Sequence, residues 1–227
     1  MLIAQALTQQ LDLYCERCSS EFWAEPCNAI SNLSFWIAAF FLSKLARQRA
    51  AQTVEISSAI GFCILVGAGS FVFHTFATVW AMWLDIIPIL ILQSWCTWLY
   101  SVRVMKFPKL VAVGLLAINI AGGISGNQLK EILNGSLTYA PSLIMLAVGA
   151  IWHFRQQRQE PSILLAATGV FFSAVCFRTI DPWVCPSFPL GTHFVWHLLN
   201  GVTVYLVIRS LIFELGDNSN SDPIAPV

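Results

Sequence analysis

Residues 67–88 (GAGSFVFHTFATVWAMWLDIIP) contain three polar side chains that could do chemistry inside sequence otherwise suited to lipid. Ser70 and His74 are four positions apart, so on a helix they lie on one face. Asp85 follows near the start of the next apolar run. Ionisable groups inside membrane spans are costly to bury and are usually functional. The segment is therefore predicted to carry part of a functional site.

A second segment, residues 193–197 (HFVWH), has two histidines at the same helical spacing. His193 and His197 would present two ring nitrogens on one helix face, and His74 could supply a third from another helix. Three histidines leave the fourth tetrahedral position of zinc open for water or substrate, which is typical of catalytic zinc. Zinc that activates water and polarises a carbonyl favours hydrolysis of an amide or an ester. The three histidines are therefore predicted zinc ligands.

Two further side chains are predicted to act beside the metal. Asp85 could orient a ligand or accept a proton from the attacking water. Ser70 could donate a hydrogen bond to the developing oxyanion. An alternative for Ser70 is helix packing, because small residues such as Gly67 and Gly69 beside it allow helices to approach closely. Both uses of Ser70 remain open at the level of the sequence.

Haem offers another use for paired histidines in a membrane protein. Its axial ligands stand on opposite faces of the ring, however, and His193 and His197 on one helix cannot reach both faces. The remaining histidine, His153, is expected to be an interfacial polar residue at a helix end. Zinc is therefore favoured over haem.

The composition is that of a polytopic membrane protein. Of the 227 residues, 57% are hydrophobic and 11% are charged, and the mean hydropathy is +0.69, which leaves too little polar surface to coat a soluble globule. The formal net charge is zero and the basic residues form no single patch, so there is no electrostatic case for nucleic-acid binding. The N-terminus has no basic region and no small-residue cleavage site, and we expect no removable signal peptide.

Seven apolar runs, each close to the roughly 20 residues that a span needs, predict an all-α membrane protein with a seven-transmembrane-helix bundle. The predicted spans are 27–43, 56–76, 81–101, 109–125, 136–153, 161–180 and 191–213. They form a single domain over residues 1–215, in which residues 1–26 make an outer N-terminal cap. The polar tail 216–227 is expected to be disordered.

The basic residues predict the orientation of the bundle. Nine of the twelve follow the first, third, fifth and seventh spans: Lys44, Arg47, Arg49, Arg103, Lys106, Lys109, Arg155, Arg158 and Arg209. By the positive-inside tendency this end is cytoplasmic, so the C-terminus is predicted inside and the N-terminus outside. The same topology puts the candidate zinc ligands, Ser70 and Asp85 together in the outer third of the membrane.

The cysteines suggest one disulfide. Their number is odd and three of them lie deep in apolar runs, which indicates mostly free thiols and no zinc-finger array. Cys15 and Cys185 both lie on the predicted outer side, where disulfides are permitted, and a bridge between them would tie the cap over the site. Cys18 is a competing partner, and it could also pair with Cys27 or stay free.

Four groups of residues follow one another along the chain: Glu-Pro-x-Asn-x-x-Ser-Asn at 25–32, Gly-x-Gly-Ser-x-x-x-His at 67–74, Asp85, and His-x-x-x-His at 193–197 followed by Asn-Gly and Tyr205. Together they resemble the alkaline ceramidase family, in a superfamily of seven-helix membrane hydrolases that includes the adiponectin-type receptors. The resemblance spans about residues 12–213. It implies a zinc amidohydrolase that cleaves the amide of ceramide, a lipid of the bilayer, with zinc on the three histidines and Ser70 and Asp85 as catalytic partners.

The acidic N-terminal segment is a candidate calcium site. Oxygen ligands of the kind that calcium takes are offered by Asp12, Glu16, Glu21 and Glu25, although these residues also suit a solvated acidic helix end. The resemblance implies calcium here, because the family has an Asp-Trp-Cys-Glu-x-Asn motif and a glutamate that enters the first helix. Glu25 matches that glutamate, Asp12 and Glu16 approximate the rest, and Cys18 stands in place of the asparagine.

Three functions remain open on the sequence. The leading prediction is hydrolysis of the amide bond in ceramide or a related N-acyl lipid, which releases a fatty acid. A lipid esterase of the same superfamily would use the same residues on an ester bond. A seven-helix receptor or transporter would hold the metal only structurally.

Overall fold

A computed structural model describes the fold of residues 2–216, with side chains from residue 5 onward. Seven of its helices are long and apolar enough to cross a membrane: α1 (Pro26–Gln48), α2 (Val54–Phe76), α3 (Val79–Val104), α4 (Lys109–Gln128), α5 (Ile132–Arg155), α6 (Ile163–Val184) and α7 (His193–Gly216). All seven predicted spans are thus found as helices. The predicted disordered tail 216–227 lies outside the described residues, apart from Gly216, which ends α7.

Local sequence explains several helix ends. Pro26 opens α1, where the missing N–H of proline costs nothing. Thr53 caps α2 by accepting the backbone N–H of Ile56 at 3.3 Å. The segment Ile132–Tyr139 at the start of α5 is a 3₁₀ stretch in which the backbone turns left-handed at Leu133, Asn134 and Gly135. The regular α-helix of this span therefore begins only at Ala140.

The packed core lies between α1, α2 and α7. Leu42, Ile56, Leu211 and Ile212 are fully buried there. The outer helix faces carry exposed large apolar side chains, such as Leu110 at 82%. A soluble protein could not keep so many exposed without aggregating, whereas lipid covers them at no cost. The fold is thus helical throughout its described part, where no β-strand forms and an isolated bridge pairs Gln10 with Thr78.

Ion pairs join the basic loops at one end of the bundle. They are Arg103 with Glu55, Arg158 with Glu214, and Arg209 with Glu160. These contacts show that the basic residues of different loops meet at the end where α7 finishes. The hydrogen bonds of Arg209 are the main cause that lowers the pKa of Glu160 below its ordinary value. Which membrane face this end occupies stays a prediction.

The N-terminal segment covers the opposite end of the bundle. After a short helix, Leu2–Leu7, the backbone N–H of Leu11 donates to Ala77 O at 2.7 Å, just beyond the end of α2. Cys15 is joined to Cys185 by a disulfide with a Cα–Cα distance of 5.3 Å, as predicted. Cys18 and Cys27 are free thiols. From here on the cap means residues 9–25, the part of the predicted cap 1–26 that lies over this end.

Candidate metal centre

Three histidines from two helices converge beneath the cap. His74 lies in the last turn of α2, His193 opens α7, and His197 follows one turn later. One ligand nitrogen of each lies within 4.8 Å of those of the other two. All three side chains are buried, at 0%, 2% and 2% exposure. The structure therefore brings the predicted zinc ligands into one cluster.

Some ring nitrogens of the three histidines are hydrogen-bonded to neighbouring residues, and others have no partner. Nδ1 of His74 is 2.6 Å from Glu25 Oε2, and Nδ1 of His197 is 2.8 Å from Ser31 Oγ. In the described part of the chain, Nε2 of His74 and Nδ1 of His193 are buried without a hydrogen-bond partner. Such a group costs about 1–3 kcal/mol when it is left unsatisfied, and a metal ion would remove that cost. The donor set fits a metal and is compatible with zinc.

Asp181 fixes the start of α7 and therefore the position of His193. One carboxylate oxygen accepts the backbone N–H groups of Thr192 at 2.6 Å and of His193 at 3.0 Å, and the other accepts that of Cys15 at 3.1 Å. Gly191 has a φ of +63°, and a Cβ there would lie 2.2 Å from Asp181 Oδ1. Glycine is therefore required at this turn, which leads into α7 and brings His193 to the histidine cluster.

Ser70 and Asp85 meet because α2 and α3 cross closely beside them. A Cβ on Gly69 would lie only 1.9 Å from the backbone oxygen of Leu84, so only glycine permits this crossing. Ser70 and Asp85 lie near each other, and both line the cavity described below. Asp85 Oδ1 is buried with no hydrogen-bond partner among the described residues. This oxygen is available to a water molecule or a substrate.

A cavity of about 530 Å³ opens from the cluster into the bundle. At one end its lining includes Ser70, Asp85 and His197, whereas Ser101 and Met105 line it near the far end of α3. The walls between are mostly apolar, and the volume falls within the range of ligand pockets. The cavity can therefore hold an extended apolar chain with its polar end at the histidines.

The predicted calcium site at Asp12, Glu16 and Glu25 is not supported. Asp12 is exposed, and the group of possible metal ligands found among the described residues is the histidine cluster. Both oxygens of Glu16 accept backbone N–H groups at the start of α1, at 2.6 and 2.8 Å. Glu25 is turned inward, toward His74 and Arg17. The carboxylate oxygens of Glu16 and Glu25 are thus occupied by protein donors.

The carboxyl of Glu25, the last residue of the cap, stays ionised. Burial alone would raise the pKa of its carboxyl, but the hydrogen bonds of His74, Arg17 and Asn28 outweigh burial and hold the pKa below the ordinary value. Asn28 Nδ2 donates to Glu25 at 3.0 Å. A carboxylate in this state favours the tautomer of His74 with the proton on Nδ1, which leaves Nε2 free to bind a metal.

Sequence reasoning missed three partners of the cluster and misjudged the fourth histidine. Tyr14 stacks on His193 with ring centroids 3.7 Å apart, and its burial is the main cause that raises the pKa of its phenol. Ser31 and Asp181, described above, were also not predicted to support it. His153 was expected at the interface but is fully buried, and it is hydrogen-bonded to Tyr100 and to a loop carbonyl. Only Ser31, in the motif at 25–32, carried a signal that could have found it.

Comparison with known proteins gives one match. Residues 7–222 match the model of the family described as Ceramidase, which is nearly the whole chain. A search of curated proteins finds no matching relative. The matched range includes the cap from residue 9, the seven helices and every residue of the histidine cluster.

Proposed function

We propose a function on the premise that this chain belongs to the ceramidase family, as the match over residues 7–222 shows. The protein is a zinc-dependent membrane amidohydrolase that cleaves the amide bond of ceramide or a related N-acyl lipid and releases a fatty acid. The observation that carries the proposal is the buried histidine cluster, with two unpartnered nitrogens, at the head of a long apolar cavity.

His74, His193 and His197 would hold the zinc. When bound, zinc polarises the scissile carbonyl and makes water a nucleophile near neutral pH. Asp85 would take the proton of the attacking water and pass it to the leaving nitrogen. Ser70, next to the crossing of α2 and α3, would donate a hydrogen bond to the oxygen that gains charge. The acyl chain would occupy the apolar cavity.

Glu25 and Ser31 are proposed to orient the ligands. Each lies at Nδ1 of one histidine, so the ring is fixed and its Nε2 is directed to the centre. Such outer partners raise ligand basicity and commonly contribute about 10- to 100-fold in metal affinity. They also explain the motif at 25–32, which contains both residues.

Lipid hydrolysis with the purified protein tests the function. The zinc-loaded protein is incubated separately with N-acyl sphingoid lipids and with phospholipids, and released fatty acid is measured by mass spectrometry. We expect fatty acid from the N-acyl lipid, and much slower release from an Asp85→Asn variant prepared in parallel. Release from phospholipid alone would identify a lipid esterase. No release from either class would favour a receptor or transporter.

A further inference from the structure

Arg17 is a buried cation at the centre of the cap. The residue is 6% exposed, and its Nε donates to Glu25 Oε1. Its two terminal nitrogens donate to backbone carbonyls, those of Ser19 at 3.0 Å, Glu21 at 3.4 Å and His74 at 3.1 Å. One guanidinium therefore ties residues 19–25 of the cap to the end of α2.

All four acceptors around Arg17 are oxygens, one from a carboxylate and three from backbone carbonyls. This is the ligand class that calcium takes in proteins. The resemblance found in the sequence implies calcium in this same segment, where the chain carries Arg17 between Glu16 and Cys18. A calcium ion placed here would meet a fixed positive charge and oxygens that already accept hydrogen bonds.

We propose that the Arg17 guanidinium is the resident cation of the cap, that it positions His74 through Glu25, and that the cap consequently binds no calcium. Arg17 and His74 flank the same carboxylate, one at each oxygen. Arg17 also holds the backbone oxygen of His74. Loss of the guanidinium would remove one of the hydrogen bonds that hold Glu25 against Nδ1 and would loosen the ligand, although Asn28 would still donate to Glu25. The inference concerns the metal ligand and does not depend on which lipid is cleaved.

Calcium binding to the wild-type protein is the first test. Equilibrium dialysis with radioactive calcium in detergent should show no saturable binding, and added calcium should leave the thermal unfolding temperature unchanged. A ligand that binds only the folded state at about 100 times its Kd would raise that temperature by several degrees. Saturable binding together with such a rise would overturn the proposal.

Zinc affinity of Arg17 variants is the second test. Arg17→Ala should bind zinc about 10- to 100-fold more weakly, the usual effect of losing an outer partner, and millimolar methylguanidinium should restore part of the affinity. Arg103→Ala is the matched control, because it removes an arginine–glutamate ion pair at the opposite end and should leave zinc affinity unchanged. Wild-type zinc affinity in Arg17→Ala would contradict the positioning role.

Arg17→Lys keeps the test decisive if the alanine variant does not fold. Lysine retains the charge but offers one nitrogen where Arg17 uses three, so its zinc affinity should lie between those of wild type and a charge-neutral Arg17→Gln variant. Equal affinities in Arg17→Lys and Arg17→Gln would show that the positive charge contributes nothing. Because every readout is metal binding or unfolding, failure here is distinguishable from failure of the proposed hydrolysis.

Discussion

The two ring nitrogens of His74 have different environments. Glu25 fixes Nδ1, whereas Nε2 has no hydrogen-bond partner among the described residues and is left to bind a metal. A catalytic zinc site needs three protein ligands, so removal of any one imidazole should release the ion. We therefore expect His74→Ala, His193→Ala and His197→Ala each to lose zinc, as measured by elemental analysis of purified protein.

His153→Ala is the control for that series. His153 is as buried as the three clustered histidines, but it is hydrogen-bonded to Tyr100 and Gln159. Gln159 also contacts Glu214 close to the end of α7, so His153 lies near the basic end of the bundle. The variant should keep its zinc. Equal zinc content in all four variants would remove the basis for the metal centre.

Asp85→Asn and Ser70→Ala separate catalysis from metal binding. Neither residue belongs to the histidine cluster, so both variants should keep zinc. Turnover should fall, by about 10²- to 10³-fold where an oxyanion donor is lost. Zinc content and fatty-acid release are measured on the same preparation. Full activity in Ser70→Ala would show that Ser70 serves helix packing at the close crossing of α2 and α3 beside Gly69.

The spacing of His193 and His197 was sufficient to predict that they share a helix face, because i and i+4 positions do so whatever the helix packs against. The approach of His74 was predicted from the topology, which put all three histidines in the same third of the membrane. The roles of Glu25 and Ser31 were not predictable in the same way. Each reaches its histidine across a large sequence separation, 49 residues for Glu25 and 166 for Ser31. Such contacts depend on how helices pack, and the acidic character of Glu25 equally suited calcium.

Gly69 determines the distance between α2 and α3, and Gly69→Ala tests that packing. An added Cβ would collide with the backbone of Leu84, which cannot move aside as a side chain would. We expect about 1–3 kcal/mol of destabilisation. A displacement of about 1 Å between Ser70 and Asp85 could lower turnover by about 10²-fold. Thermal unfolding and lipid hydrolysis measure the two effects.

Gly61→Ala is the matched control on the same helix. A Cβ at Gly61 meets no atom within 4 Å, and alanine has the higher helix propensity, so the variant should be neutral or slightly more stable. Equal behaviour of Gly61→Ala and Gly69→Ala would show that the crossing is not set by contact at Gly69.

Hydropathy predicted all seven membrane-spanning helices but not their irregular ends. Long apolar runs must be helical in lipid, because no other structure satisfies their backbone groups. The left-handed turn at Leu133 and Asn134 has only the Asn-Gly pair as a local signal. The cap carries no periodic pattern at all. Its position follows from the disulfide and from Arg17, which are long-range contacts.

The whole molecule has two chemically different ends. Three arginine–glutamate ion pairs gather where α7 finishes, and the disulfide and the histidine cluster lie where α7 begins. Positive loops favour the cytoplasm, whereas structural disulfides favour the oxidising outer compartment. The two signals are physically independent, and both favour the prediction that the histidine cluster lies on the outer side.

Removal of the disulfide tests the role of the cap in the whole molecule. The bridge spans 170 residues, and closing so long a loop stabilises by up to about 5 kcal/mol in the chain-entropy model, less where the membrane already restricts the unfolded chain. Cys15 also contacts Asp181, which caps the helix of His193 and His197. Cys15→Ser and Cys185→Ser should therefore lower both the unfolding temperature and the affinity for zinc, and the double variant should match either single one.

Cys176→Ser, at an exposed free thiol, should change neither property. Recovery of Cys15 or Cys185 as a free thiol by non-reducing peptide mapping of oxidised protein would refute the bridge, because its two thiols must be lost together.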